Sequence, residues 1–236
     1  MHEFQKIHYV LLKQHGPQRW WPLNGKYTGK SRLSDEEKFE ICVGAILTQN
    51  TSWKNVEKAL CNLQKAELLK CEKIANSKRE VIAALIRPTG YFNQKAKKLQ
   101  LFSVHVQKRG LQAMFNQPLQ KLREELLSLW GIGPETADSI ILYAAQKPIF
   151  VIDAYTRRIF SRLGYCREDC VYDDLQRLLM ASLPMDVKLF KEYHALIVEH
   201  AKVCCTKNNV LSDKCILKVH NLNSHNPNKI KCLPNS

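Results

Sequence analysis

The segment at residues 129–152, LWGIGPETADSIILYAAQKPIFVI, constrains the fold more than any other part of the chain. Gly131 and Gly133 flank Ile132. Two glycines one residue apart allow a sharp turn at positive φ and remove side chains that would hold a ligand away. Pro134 follows at a first-turn position, where its missing N–H is harmless, and Glu135, Thr136 and Ala137 carry a helix onward. The turn thus offers backbone N–H groups at the positive end of a helix, a setting that suits phosphate. No sheet pattern or nucleotide fingerprint surrounds it, so a nucleic-acid backbone fits better than a mononucleotide.

Helical periodicity runs through nearly all the remaining chain. Ser34-Asp35-Glu36-Glu37 is a capping box ahead of Phe39, Ile41, Cys42, Ala45 and Ile46. Leu99, Phe102 and Val106 recur on one helix face, with Lys95, Lys97, Lys98 and Lys108 on the other. Tyr193, Leu196, Ile197 and Ala201 form a similar apolar stripe. Only PIFVI, residues 148–152, has strand character, and a short extended link explains it equally well. From residue 221 the composition, rich in Asn, Ser, Pro and Lys, reads as a poorly ordered basic tail.

Charge identifies the kind of partner. Thirty-six Lys and Arg against 22 Asp and Glu leave a formal charge of +14, which favours a polyanion. No apolar stretch is long enough to span a bilayer, and the amino terminus lacks the pattern of a signal peptide, so an intracellular protein with a nucleic-acid partner is expected. Lys95, Lys97, Lys98, Lys108, Arg109, Arg157 and Arg158 are candidate phosphate neighbours, of which only a minority should touch DNA.

Asp153 lies 22 residues after Gly131, just ahead of a helical AYTRRIF run. It can cap that helix, as aspartate often does. Near a sugar it can also stabilise an oxocarbenium-like centre or activate water, and a capping role would help keep it ionised. The combination of LWGIGPETADSI and FVIDAYTRRIF resembles the helix-hairpin-helix DNA glycosylases of the endonuclease III superfamily, as do residues 44–60 (GAILTQNTSWKNVEKAL) and 86–99 (IRPTGYFNQKAKKL). The resemblance covers residues 30–205 and implies an all-α fold of two helical lobes with a DNA-binding cleft between them. Residues 30–147 would form a six-helix lobe ending in the hairpin, with residues 1–29 and 148–220 as the second lobe and 221–236 as a tail. In that family the hairpin grips DNA phosphates, an aspartate at the place of Asp153 is essential to N-glycosidic cleavage, and the target nucleotide is flipped out. Asp153 would stand at the cleft mouth.

The resemblance also implies specific roles for other residues. Bifunctional members carry a lysine two places after the second hairpin glycine; here that place is Glu135, which cannot form an imine. Gln49, beside Asn50, matches the residue that enters the gap left by the flipped base, although a polar residue at a helix C-terminus is an equally good reading. In the 3-methyladenine glycosylase branch, Trp20-Trp21-Pro22 and an aromatic at the place of Trp53 would line the base pocket and stack on a cationic purine. That branch has a pocket-side lysine where this chain has Leu196. Core packing is the competing explanation for these tryptophans, and the preferred one for Trp130.

The carboxyl-terminal cysteines depart from the family. Many members hold a [4Fe–4S] cluster with C-x6-C-x2-C-x5-C; Cys205 and Cys215 fill two places, but Ser212 and Asn221 stand in the others. Cys204 and Cys232 would substitute only through a different loop geometry, so a required cluster is not expected. Another metal with Cys and His ligands, His220 or His225 among them, stays open. The expectation is a monomeric, monofunctional glycosylase acting on double-stranded DNA with a damaged base, an alkylated purine rather than an oxidised pyrimidine. The rivals are a bifunctional glycosylase/lyase and a non-catalytic helix-hairpin-helix DNA-binding protein.

Overall fold

A computed structural model describes residues 2–207 and 215–219. In chain order the helices are α1 (Glu3–His15), α2 (Asp35–Leu47), α3 (Trp53–Lys65), α4 (Cys71–Asn76), α5 (Arg79–Leu85), α6 (Phe92–Arg109), α7 (Leu111–Asn116), α8 (Leu119–Ser128), α9 (Pro134–Ser139), α10 (Ala154–Arg162), α11 (Tyr172–Ser182), α12 (Val187–Val203) and α13 (Ile216–Val219). The fold is all-α, with no strand among the described residues beyond an isolated bridge between Leu23 and Lys26. The chain divides into two units: residues 21–147, and residues 1–20 together with those from 148 onward.

In the unit of residues 21–147, the helix predicted by the capping box is α2. Ser34 Oγ accepts from the Glu37 N–H at 3.3 Å, and Ser34 N–H donates back to Glu37 at 2.8 Å. The helix is buried from Phe39 to Leu47, so it is the core element, and it packs on the single π-helical turn Ile140–Ala144 that continues α9. Helix α6 packs on α4 and α5, and its expected face of Leu99, Phe102 and Val106 is buried, with Phe102 stacked on Phe39 of α2. Burying each such side chain contributes about 1.5–3 kcal/mol.

Lys95 does not belong to the solvated face. It is 2 % exposed, and Nζ donates to Leu47 O at 2.9 Å and Thr89 O at 2.8 Å. It therefore satisfies the last carbonyl of α2, where the helix dipole favours a cation. Burial, and secondarily Lys98, lower its pKa to about 8.

In the other unit, α1 packs on α12 through Phe4, Ile7, Val10 and Leu11, and α10 packs on α12 as well. Phe4 meets the edges of Phe160 and Tyr165 at 5.5 and 4.9 Å. PIFVI is the extended link rather than a strand. Its apolar side chains are buried, with Phe150 against Phe190 and Tyr193, and side chains take the place of a partner strand. Gln176 donates to Phe150 O at 2.6 Å, and the Ile152 N–H donates to the Tyr172 hydroxyl at 3.3 Å.

Candidate active site

The two hairpin glycines have different backbones. Gly131 has φ +81°, and the turn closes with Ile132 N–H on Leu129 O at 3.1 Å. Gly133 is extended (φ −95°, ψ 178°) and N-caps α9, with Pro134 in the first turn. Positive φ is thus needed once, not twice. A Cβ at Gly131 would lie 2.5–2.8 Å from the Lys98 side-chain stem, whereas one at Gly133 would meet nothing within 4 Å. Ile132 turns its side chain inward, 6 % exposed, and its N–H is already engaged by Leu129 O.

A polar brace supports this turn. Gln49 donates to Gly131 O at 3.1 Å and to Thr136 Oγ1 at 2.9 Å, and Lys98 donates to the Gln49 amide oxygen. Asn50, exposed and at φ +52°, turns the chain away from α2. Arg123 forms a forked pair with the fully buried Asp138 carboxylate at 2.8 and 3.3 Å, linking α8 to α9. Glu135 lies exposed in the first turn of α9, where negative charge is favoured. Trp130 is not core: it is 48 % exposed, with the Lys97 ammonium 4.2 Å from its ring centroid. The candidate phosphate neighbours divide accordingly. Lys95 and Lys98 are internal partners, Arg109 lies 3.5 Å from Glu125, and Arg158 donates to Ala201 O, while Lys108 is exposed.

Asp153 is the N-cap of α10, in the other unit. Oδ1 accepts from the Thr156 N–H at 2.7 Å and from Thr156 Oγ1 at 2.8 Å, and Oδ2 lies 3.5 Å from His194 Nε2. The residue is only 8 % exposed. Burial on its own would raise the carboxyl pKa; His194, followed by the two Thr156 donors, reverses this and holds it below the ordinary aspartate value. The Thr156 donors thus serve both the cap and the lowered pKa, while His194 adds to the second alone. His194 was missed by sequence reading, yet its place carried a signal. It stands with Phe190, Ile197 and Ala201 at helical spacing on a buried stripe, where a polar residue needs a partner.

The aromatic candidates are shared between the units. Trp20 meets His194 edge to face at 5.8 Å, so one indole touches the residue that faces Asp153. Trp21 belongs to the other unit, where it meets Trp53 at 5.1 Å and Tyr143 at 5.0 Å. Gly44 makes room for it, because a Cβ there would sit 3.2 Å from the indole. Pro22 is buried beside it in the chain, and Trp53 donates to Glu57 at 2.9 Å.

The described cysteines do not match a four-thiolate set. Cys205 Sγ accepts from the Arg162 guanidinium at 3.1 Å, Cys215 Sγ is 3.4 Å from His200 Nε2, and Cys204 lies beside His15 and His200. Ser212, His220, Asn221, His225 and Cys232 lie outside the described residues. Among the described residues, the donors that converge are imidazole and thiol in mixture, whereas a [4Fe–4S] cluster is usually held by thiolates. No helix among the described residues is long and apolar enough to cross a membrane.

A glycine turn braced by polar side chains in one unit, and an aspartate capping α10 in the other, are features expected of a helix-hairpin-helix DNA glycosylase. Comparison with known proteins agrees. Residues 43–185 match the model of the HhH-GPD superfamily of base excision DNA repair proteins. A candidate DNA repair glycosylase of Methanocaldococcus jannaschii is 46 % identical over 90 % of this chain and 93 % of its own length. Endonuclease III of Thermotoga maritima is 28 % identical over 79 % of this chain and 83 % of its own. Among solved structures, the H. pylori 3-methyladenine DNA glycosylase bound to 1,N6-ethenoadenine superposes with TM-score 0.68 at 30 % identity, covering 86 % of this chain and 98 % of that one. The chain belongs to the HhH-GPD superfamily and is a DNA N-glycosylase of the base-excision type.

Proposed function

We propose that the chain hydrolyses the N-glycosidic bond of an alkylated purine in double-stranded DNA and lacks a lyase step. The observation that carries the proposal is the Asp153 carboxylate, nearly buried yet held ionised by His194 and Thr156. Beside the sugar of an extruded nucleotide, that charge stabilises the oxocarbenium-like centre as the base departs with the bonding electrons. Water then adds to the anomeric carbon and gives up a proton, leaving an abasic site. A purine alkylated at N3 or N7 already carries positive charge, so it leaves as a neutral base without a general acid.

In this reading the turn of Gly131, Ile132 and Gly133 brings DNA phosphates to the start of α9, where the backbone N–H groups of Glu135 and Thr136, not the Glu135 carboxylate, face them. Trp20, Trp21, Pro22 and Trp53 line the base pocket, where a ring facing a cation contributes about 0.5–2 kcal/mol. Gln49 and Asn50 fill the gap in the duplex, and Gln49 exchanges its bonds to Gly131 and Thr136 for the orphaned base. The substrate class is carried over from the H. pylori relative, and Glu135 in the lyase position supports hydrolysis.

One observation favours a bifunctional reading. There Lys191, one helical turn before His194 on α12, would supply the amine nucleophile; burial lowers its pKa to about 8, a shift that Lys95 in the other unit shares. Two assays on the full chain separate the readings. DNA carrying alkylated, oxidised and mismatched bases should yield a free alkylated purine by mass spectrometry, and borohydride on abasic DNA should trap no covalent complex. A trapped complex lost in Lys191→Met establishes the lyase instead.

A further inference from the structure

His15 ends α1, His200 lies in the last turn of α12, and Cys204 caps that helix. One donor atom from each lies within 4.8 Å of the other two, with His15 Nε2 3.0 Å from His200 Nδ1. Two imidazoles and a thiol are a borderline-soft set, of the kind Zn2+ and its neighbours in the first transition row prefer. Bonds of about 2.0–2.3 Å at tetrahedral angles need donor atoms roughly 3.3–3.7 Å apart, close to the spacing already present. The second ring nitrogen of His200 faces Cys215 Sγ at 3.4 Å, leaving Nδ1 as the lone-pair donor. His15 and Cys204 are partly exposed, which gives an ion a way in, and His200 is buried.

We infer that His15, His200 and Cys204 bind one mononuclear divalent cation of the Zn2+ class, clamping α1 to α12 in the unit that carries Asp153 and His194. On binding, Cys204 loses its thiol proton to solvent and His15 moves its ring proton to Nδ1, so that Nε2 can ligate. Three protein donors leave the fourth tetrahedral position to water. Cys215 acts through His200 by holding its ring orientation, and Cys205 stays with Arg162. The clamp has no part in glycosidic cleavage. It fixes the position of the helix bearing the residue that faces Asp153, whichever base the protein removes.

Cobalt is the probe, because a thiolate ligand gives Co2+ a near-ultraviolet charge-transfer band. The full chain, freed of metal under reducing conditions, is titrated with Co2+ alone and then back-titrated with Zn2+. The expected result is one Co2+ per chain with a thiolate band that Zn2+ abolishes, and a melting temperature raised by the metal. Cys204→Ser should remove the band and the metal-dependent rise while its metal-free melt matches wild type. Cys215→Ala should keep the band and weaken affinity by about tenfold or more. A band that survives Cys204→Ser, failure of the wild type to bind Co2+, or purification with iron and inorganic sulfide would overturn the assignment.

Discussion

The two hairpin glycines allow a sharp internal comparison. Gly131→Ala places a Cβ at φ +81°, 2.5–2.8 Å from three carbons of the Lys98 stem. The left-handed backbone costs a non-glycine residue about 1–2 kcal/mol. The stem must also move, which breaks the bond from Lys98 to Gln49, at about 0.5–1.5 kcal/mol. Together these predict a loss of about 1.5–3.5 kcal/mol, or roughly 3–14 °C in melting temperature for a chain of this size. Gly133→Ala has an extended backbone and open space, so its melt should lie within about 0.5 kcal/mol of wild type. Its DNA affinity should nevertheless fall, because the new methyl group occupies the space beside the turn. Thermal melts and fluorescence-anisotropy titrations of both variants with an abasic duplex suffice. Equal stability losses in the two, or full DNA affinity in Gly133→Ala, would refute the assignment of one glycine to strain and the other to access.

Three further outcomes are expected. Removing His194 should lift the Asp153 pKa, because burial is then opposed only by Thr156. The folded-state pKa is depressed, so its stabilisation is present above the unfolded value and is lost as pH falls through the folded one. In His194→Gln both acid unfolding and the acid limb of base release should therefore move to higher pH, and an unchanged pH–rate profile would rule out this role. Asp138→Ala leaves the Arg123 guanidinium without its buried carboxylate and should cost about 3–5 kcal/mol in urea unfolding. Lys95→Met strips donors from Leu47 O and Thr89 O and should cost about 1–3 kcal/mol in the same assay, with DNA affinity unchanged if Lys95 is not a phosphate contact.

Features governed by local rules were legible in the chain. The Ser34 box, proline in the first turn of α9 and the Asp153 cap each depend on residues at most three apart, and all three appear as expected. Contacts made across long separations were not. The Lys95 head reaches Leu47, 48 positions away, and nothing on its own helix face reveals that destination. Trp130 looked like core because it is large and apolar, but it follows the end of α8 and meets Lys97 instead. His194 faces Asp153 across 41 positions, and its place on a buried stripe indicated burial without naming a partner. The metal-ligand candidates Cys232, His220 and His225 lie outside the described residues. His15 stands 189 positions before Cys204, and no spacing pattern links it to the cysteines.

Base release by the Asp153→Asn variant tests the central claim most directly. Asparagine keeps a side-chain oxygen for the Thr156 donors, so the α10 cap and the melt should persist while the negative charge is lost. In single-turnover reactions on methylated duplex DNA, the wild type should release the alkylated purine as free base, and the variant should be slower by about 10²- to 10⁴-fold. A folded Asp153→Asn protein that releases the base at the wild-type rate would contradict the account.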